Sequence, residues 1–171
     1  MSYRNKTYVA FASEDIKQYY MMCAWKENQH IDFDFFDAHD LFVSRDTSKP
    51  DTIKTNLRQR MRNAKQIVLL GSANAKLKGS DGVSFLAHEI QVLMEFRLPV
   101  VVANLDSDRN IDKAYIPDPL LNANYYTLSV SFQPKIIQFA LDSYAANFQS
   151  TGDAKHGPHY YADAHYTKLG L

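Results

Sequence analysis

The chain has 171 residues, 46% of them hydrophobic and 13% aromatic, which suits one packed domain with a sizeable core and excludes a disordered chain. Nineteen basic residues balance nineteen acidic ones. The densest basic segment, Lys54, Arg58, Arg60, Arg62 and Lys65, spreads around a helix, which argues against nucleic acid as the main ligand.

Cys23 is the only cysteine, so no disulfide framework or thiolate metal cluster is expected. The first residues carry no apolar signal segment, and no run approaches the ~20 residues needed to cross a bilayer. A cytoplasmic protein without membrane contact is therefore expected.

In chain order, Tyr8-Val9-Ala10-Phe11 is a short apolar strand, and Ser13-Glu14-Asp15 offers a helix cap. Residues 15–28 have helical spacing through Ile16, Tyr19, Tyr20, Cys23 and Ala24. Ile31-Asp32-Phe33-Asp34-Phe35 alternates strictly, which predicts a half-exposed strand near a sheet edge. Residues 37–50 read as a long polar loop ending at Pro50, and a helix from Asp51 to Asn63 turns Ile53, Leu57 and Met61 inward.

Gln66–Gly71 and Leu98–Leu105 are near-continuous apolar runs, as strands buried on both faces are. Between them lies a helix over residues 83–96. A loop with Asp106, Asp108, Pro117 and Pro119 leads to a weaker strand at Tyr125–Val130. Pro134 opens a last helix through Ile136, Ile137, Phe139, Ala140 and Tyr144.

This alternation predicts an α/β fold: a doubly wound, mostly parallel, five-stranded sheet of the flavodoxin-like kind, with helices on both faces. The domain is expected over residues 1–148, followed by a Tyr/His-rich extension over 149–171. Loops after the strands gather at one sheet edge, where ligands of open α/β sheets bind. Site residues are expected from Phe11–Ser13, Phe36–Lys49, Gly71–Ser80 and Asn104–Arg109.

Several familiar sites are absent. No glycine follows the first strand to form a phosphate loop, and Gly71-Ser72 stands where a phosphate-accepting receiver domain would need an aspartate. No Gly-x-Ser-x-Gly elbow or His-Glu-x-x-His helix occurs. Asp32 and Asp34 share the polar side of their segment and read as a solvated face. Asp37, His39 and Asp40 lie past its end, where a capped turn and a binding role both fit. Arg45 reads as a surface charge or an anion contact. The spacing of His156, His159 and His165 matches no helical metal pair, so no metal is expected.

Glu89 is the residue that pattern alone leaves unexplained. At ~100° per residue, Leu86, Ile90 and Leu93 define the buried side of its helix, and Glu89 falls ~60° from the centre of that face. The probable cap, Asp81, is two turns upstream, so capping does not account for it. The two readings are a boundary glutamate that snorkels to water and a carboxylate held among apolar groups for a purpose.

Two groups of residues then carry a resemblance. The first is Phe33-Asp34-Phe35-Phe36-Asp37-Ala38-His39-Asp40-Leu41, followed by Ser44-Arg45-Asp46-Thr47-Ser48, Thr52-Ile53-Lys54 and Asn63-Ala64-Lys65-Gln66. The second is Phe85-x-x-x-Glu89-Ile90. From about Lys6 to Tyr144 the chain resembles the TIR-like family of bacterial Thoeris anti-phage systems, a branch of the TIR domains.

The resemblance implies the five-stranded TIR plan, with Glu89 as catalytic residue and Phe11 and Phe85 against nicotinamide and ribose. Ala12, Ser13, Asp37, His39, Arg45 and Ser72 complete the expected substrate contacts. Two positions depart from the family pattern: Ala10 where Ser is frequent, and His88 where an aromatic residue is common.

The implied activity is that of an NAD+ nucleosidase or ADP-ribosyl cyclase, with NAD+ as substrate and no cofactor. Its ADP-ribose-derived product would be a signal that activates a separate effector protein in anti-phage defence. TIR enzymes commonly complete the pocket between subunits, so self-assembly through TIR–TIR contacts is expected, with loop 37–50 against a neighbouring copy. The alternatives are a non-catalytic TIR-like adaptor and a nucleoside deoxyribosyltransferase-like enzyme.

Overall fold

The computed structural model describes residues 6–34, 49–151 and 155–171. Four of the predicted strands are present: β1 (Thr7–Ala10), β2 (Gln66–Gly71), β3 (Val100–Asn104) and β4 (Thr127–Ser131). Every residue in them is buried, as strands covered on both faces must be. A short β5 (Pro158–Tyr160) completes a sheet of order β1-β2-β3-β4-β5, with every neighbouring pair parallel.

The helices are α1 (Ile16–Glu27), α2 (Pro50–Asn63), α3 (Ala73–Ser80), α4 (Phe85–Glu95), α5 (Asp118–Asn122), α6 (Pro134–Ala140), α7 (Ala146–Thr151) and α8 (Asp163–Lys168). Among the described residues no helix is long and apolar enough to cross a membrane.

Strand alternation sorts the core into two layers. Tyr8, Ala10, Ile67, Leu69, Val100 and Val102 pack under α2, α4 and α5, against Ile53, Leu57, Leu86, Ile90, Leu93 and Leu120. Val9, Val68, Leu70, Val101, Leu128 and Val130 face the other way, against Tyr19 and Met22 of α1, Ile136 and Ile137 of α6, and Tyr166 of α8. Helices thus cover both faces of a parallel sheet, as the alternation of elements predicts.

The predicted edge strand at Ile31–Phe35 is not a strand over residues 31–34, and Phe35 lies outside the described residues. The alternation there reports burial without pairing. Phe33 is buried edge-on to Trp25, while the Asp34 N–H donates 3.0 Å to the Gln138 side chain instead of to a neighbouring strand.

The fifth strand comes from the tail. The expected boundary at 148 falls inside α7, and residues 155–171 then supply β5 and α8. Tyr166 of α8 is fully buried, so this stretch completes the second core layer and is more than a surface appendage. His159 packs edge-on against Tyr126 and His165 stacks on Tyr161, so two of the tail histidines serve as ring contacts.

Two further differences concern helices. The stretch after β2, expected as a loop over Gly71–Ser80, is mostly α3, because the Ser72 hydroxyl accepts the Ala75 N–H at 3.0 Å and starts a helix. The last predicted helix runs through α6 but widens into a π-type turn at Leu141–Ala145 before α7.

Candidate active site

The parallel sheet places α4 antiparallel to the strands, so its first residues lie at the sheet edge where the strands end. Asp81 shapes the approach: its carboxylate accepts the Val83 and Ser84 N–H groups at 2.9 and 2.8 Å, and Ser84 is the N-cap. Phe85 opens the helix and is 38% exposed at the mouth. Glu89 lies four residues further, about one turn or ~6 Å in.

Glu89 does not snorkel. It is 4% exposed, and Leu86, Val92 and Leu93, its neighbours one turn away on the same helix, are buried with it. The Tyr8 hydroxyl, from the middle of β1, donates to Glu89 Oε1 at 3.1 Å. The other oxygen, Oε2, is buried without a hydrogen-bond partner among the described residues. Burial out of water pushes the Glu89 carboxyl up to about 8, and the Tyr8 hydrogen bond pulls only partly the other way. A carboxyl desolvated this far, near the strand ends where open α/β sheets bind ligands, is a candidate functional group.

The strand ends carry a second buried acid. Asp15, in the short 3-10 turn Ser13–Asp15, accepts the Ser72 hydroxyl and, at 3.3 Å, the Asn74 side-chain amide. These bonds tie the turn after β1 to the start of α3. Asn104, ending β3, donates 3.0 and 2.9 Å to the carbonyls of Asp108 and Asn110 and so fixes the loop after that strand. Asp15 and Asn104 therefore fix the segments that follow β1 and β3 at the strand ends.

The expected contact residues are placed unequally. Ala12 is buried and packs in the same layer as Tyr8 and Ala10. Ser13 is exposed, with its hydroxyl 3.3 Å from the Glu14 carboxylate. Ser72 is spent on Asp15 and on the Ala75 N–H. Asp37, His39 and Arg45, with Phe36 and Asp40, lie outside the described residues.

Phe11 packs against the other core layer from Tyr8 and Ala10. Alternation along β1 sends Tyr8 and Ala10 toward α4 but Phe11 toward α1, where it stacks on Tyr19 with centroids 4.9 Å apart. The aromatic side chain bonded to Glu89 is Tyr8, whose hydroxyl donates to Oε1. His88, one of the two departures from the family pattern, turns outward between helices, with Nε2 3.1 Å from the Lys54 carbonyl.

Two cavities lie away from Glu89. One of about 720 Å³ is at the opposite sheet edge, where Lys6, Lys65 and Pro99 precede β1, β2 and β3. The other, of about 370 Å³, is outside α4 and is lined by His88, Gln91, Lys54 and Gly82.

Sequence reasoning missed Tyr8 and Asp15 as members of the site. Strand periodicity gives the side to which Tyr8 points, but nothing local links it to a residue 81 positions away. Asp15 reads as a helix cap from sequence, and only the fold brings Ser72 to it.

A doubly wound parallel sheet, with a buried glutamate one turn into the second helix after β2, defines a TIR-like domain. The family model for Thoeris protein ThsB, TIR-like domain, matches residues 8–110, from β1 through Glu89 to the loop after β3. The chain belongs to this defence-related family. No curated protein matches it.

Proposed function

We propose that this protein cleaves the bond between nicotinamide and ribose in NAD+, with Glu89 as the catalytic residue. The observation that carries the reading is the buried carboxyl with one oxygen left unbonded. A carboxylate taken out of water without a partner is costly, and a cationic ligand relieves that cost.

In NAD+ the nicotinamide ring is a cation. Breaking its bond to the ribose C1′ sends the electron pair to the ring nitrogen, so nicotinamide leaves neutral and needs no general acid. Positive charge then develops on the ribose, as in an oxocarbenium ion. Glu89 Oε2 faces that charge in a dry, low-dielectric setting, where a fixed negative group stabilises it most. The free acid is largely protonated at neutral pH; approach of the cation favours ionisation and draws the carboxyl down.

Attack by water would give ADP-ribose, and attack by a nucleophile within the molecule a cyclic isomer. Membership of a defence-related family favours a product that serves as a signal for a separate effector over bulk NAD+ depletion. A second reading, a TIR-like adaptor without catalysis, is favoured by one observation: Glu89 is only 4% exposed. The enzymatic reading accommodates this if the pocket is completed in a self-assembled form.

The test is incubation of concentrated protein with NAD+, with nicotinamide followed by HPLC and products by mass spectrometry. Glu89→Gln should slow release at least ~100-fold, equivalent to roughly 3 kcal/mol of transition-state stabilisation. Normal turnover by that variant would eliminate the proposal. Absence of turnover in the assembled wild type would leave the adaptor. Exchange between free nucleosides without NAD+ consumption would mark a nucleoside deoxyribosyltransferase-like enzyme.

A further inference from the structure

The reaction above gives no role to the hydroxyl buried beside Glu89. Tyr8 is wholly buried in the middle of β1, and its O–H donates to Glu89 Oε1 at 3.1 Å. A phenol in such a place could have been Phe if packing were its only task, since a buried hydroxyl costs stability unless bonded. We propose that Tyr8 is the positioning residue of this site: it holds Oε1 of Glu89 back against β1 and presents Oε2 to the ribose of the substrate. This rests on the NAD+-cleaving reading.

The geometry gives the two oxygens different duties. The carbonyl oxygen of a neutral carboxyl is the stronger acceptor, so the Tyr8 bond to Oε1 favours the proton on Oε2. Oε2 is also the atom without a partner among the described residues. When a cationic ligand arrives, that proton leaves to solvent and the charge appears on the oxygen already aimed at the site. Tyr8 donates to both forms, more strongly to the ionised one, and so favours ionisation.

The other charged groups on the packed elements are engaged elsewhere. His88 of α4 bonds the Lys54 carbonyl of α2, and the Lys54 side chain lines the outer cavity. Arg58 of α2 forms a bidentate pair with Glu95 of α4, and Arg62 lies toward Glu95. Lys76 of α3 pairs with Asp118 of α5, and Lys78 reaches toward Glu14 at 3.9 Å. Burial and Tyr8 are the two influences acting on the carboxyl.

Tyr8→Phe keeps the ring and removes the donor. The first readout needs no activity: the pH at which the protein loses stability relative to the same background carrying Glu89→Gln, measured by urea unfolding. Its midpoint should rise by roughly one to two pH units in Tyr8→Phe, the range expected for a hydrogen bond to a charged group. Tyr8→Phe/Glu89→Gln serves as the folded reference for the variant.

The second readout is NAD+ cleavage. Tyr8→Phe should lower kcat about tenfold near pH 7 with KM within twofold, and part of the loss should be recovered at higher pH. An unmoved stability midpoint overturns the proposal, even if activity falls, because Tyr8 would then act through packing alone. A moved midpoint with a wild-type kcat and pH profile overturns it too. If the wild type releases no nicotinamide, the NAD+ reading fails separately, and the midpoint alone decides whether Tyr8 governs Glu89.

Discussion

The Ser72 hydroxyl donates to the Asp15 carboxylate, joining the turn after β1 to the start of α3 across 57 positions of sequence. The same Ser72 oxygen accepts the Ala75 N–H at 3.0 Å, so one hydroxyl caps a helix and anchors a loop. Asp15→Ala removes this bond and the one from Asn74, and leaves two donors at a partly buried edge. The expected loss is about 1–3 kcal/mol, read as a lower urea midpoint at constant slope. Ser72→Ala should cost a similar amount, and the double variant less than the sum, because the two residues share one interaction. Strict additivity would show that the bond is not made in solution.

Glu89 predicts an unusual pH dependence. Its folded value, about 8, is raised above the ordinary 4.5, so the folded chain holds a proton that the unfolded chain releases. Below pH 4.5 both states are protonated and the contribution to stability is whole. From there it falls by up to ~1.4 kcal/mol per pH unit, and the loss is complete above pH 8. Glu89→Gln does not titrate. It should match the wild type below pH 4.5 and exceed it by roughly 4 kcal/mol at pH 8, as judged by urea unfolding across that range. A constant difference across the range would mean that Glu89 is solvated or paired in solution.

Much of this arrangement was legible in the sequence for identifiable reasons. β2 and β3 are apolar except for Gln66 and Asn104 at their ends, and α2 repeats its apolar residues at 53, 57 and 61, so local pattern suffices for them. Glu89 stood out because it breaks such a pattern. Ile31–Phe35 misled because alternation reports which side is buried and is silent about the pairing partner, here the Gln138 side chain. β5 has no apolar run at all; its three residues are a strand because β4 offers an open edge in register at Thr127, Leu128 and Ser129. Phe11 directly follows β1, and the sequence does not give its partner, which is the Tyr19 ring of α1.

Activity, where present, should depend on protein concentration. Glu89 is buried in the single chain. A second copy that completes or opens the site would make specific activity rise with concentration and level off once assembly is complete. The check is the rate of nicotinamide release per mole of chain over a wide dilution series, alongside mass by light scattering. Specific activity independent of concentration, at a monomeric mass, would remove self-assembly from the mechanism.

The tail makes the last prediction. β4 outruns β5 by two residues, since Ser129 pairs with Tyr160 and the register ends there. The Ser131 N–H on that side would be orphaned, and the Tyr166 hydroxyl takes it at 3.1 Å. The Tyr166 ring fills the second core layer, and the Arg109 guanidinium lies over it at 4.3 Å from the centroid. Arg109 belongs to the loop after β3, so one side chain in α8 seals a sheet end and steadies a loop at the mouth. Tyr166→Phe keeps the packing and strands one N–H, an expected loss of about 1–3 kcal/mol. Tyr166→Ala also empties a core position and should cost about 3–5 kcal/mol. Hydrogen exchange separates the two effects: Tyr166→Phe should speed exchange at Ser131 while leaving Val101 and Val130 protected, whereas Tyr166→Ala should loosen the whole layer. Equal protection at Ser131 in wild type and Tyr166→Phe would show that the tail packs without closing the strand end.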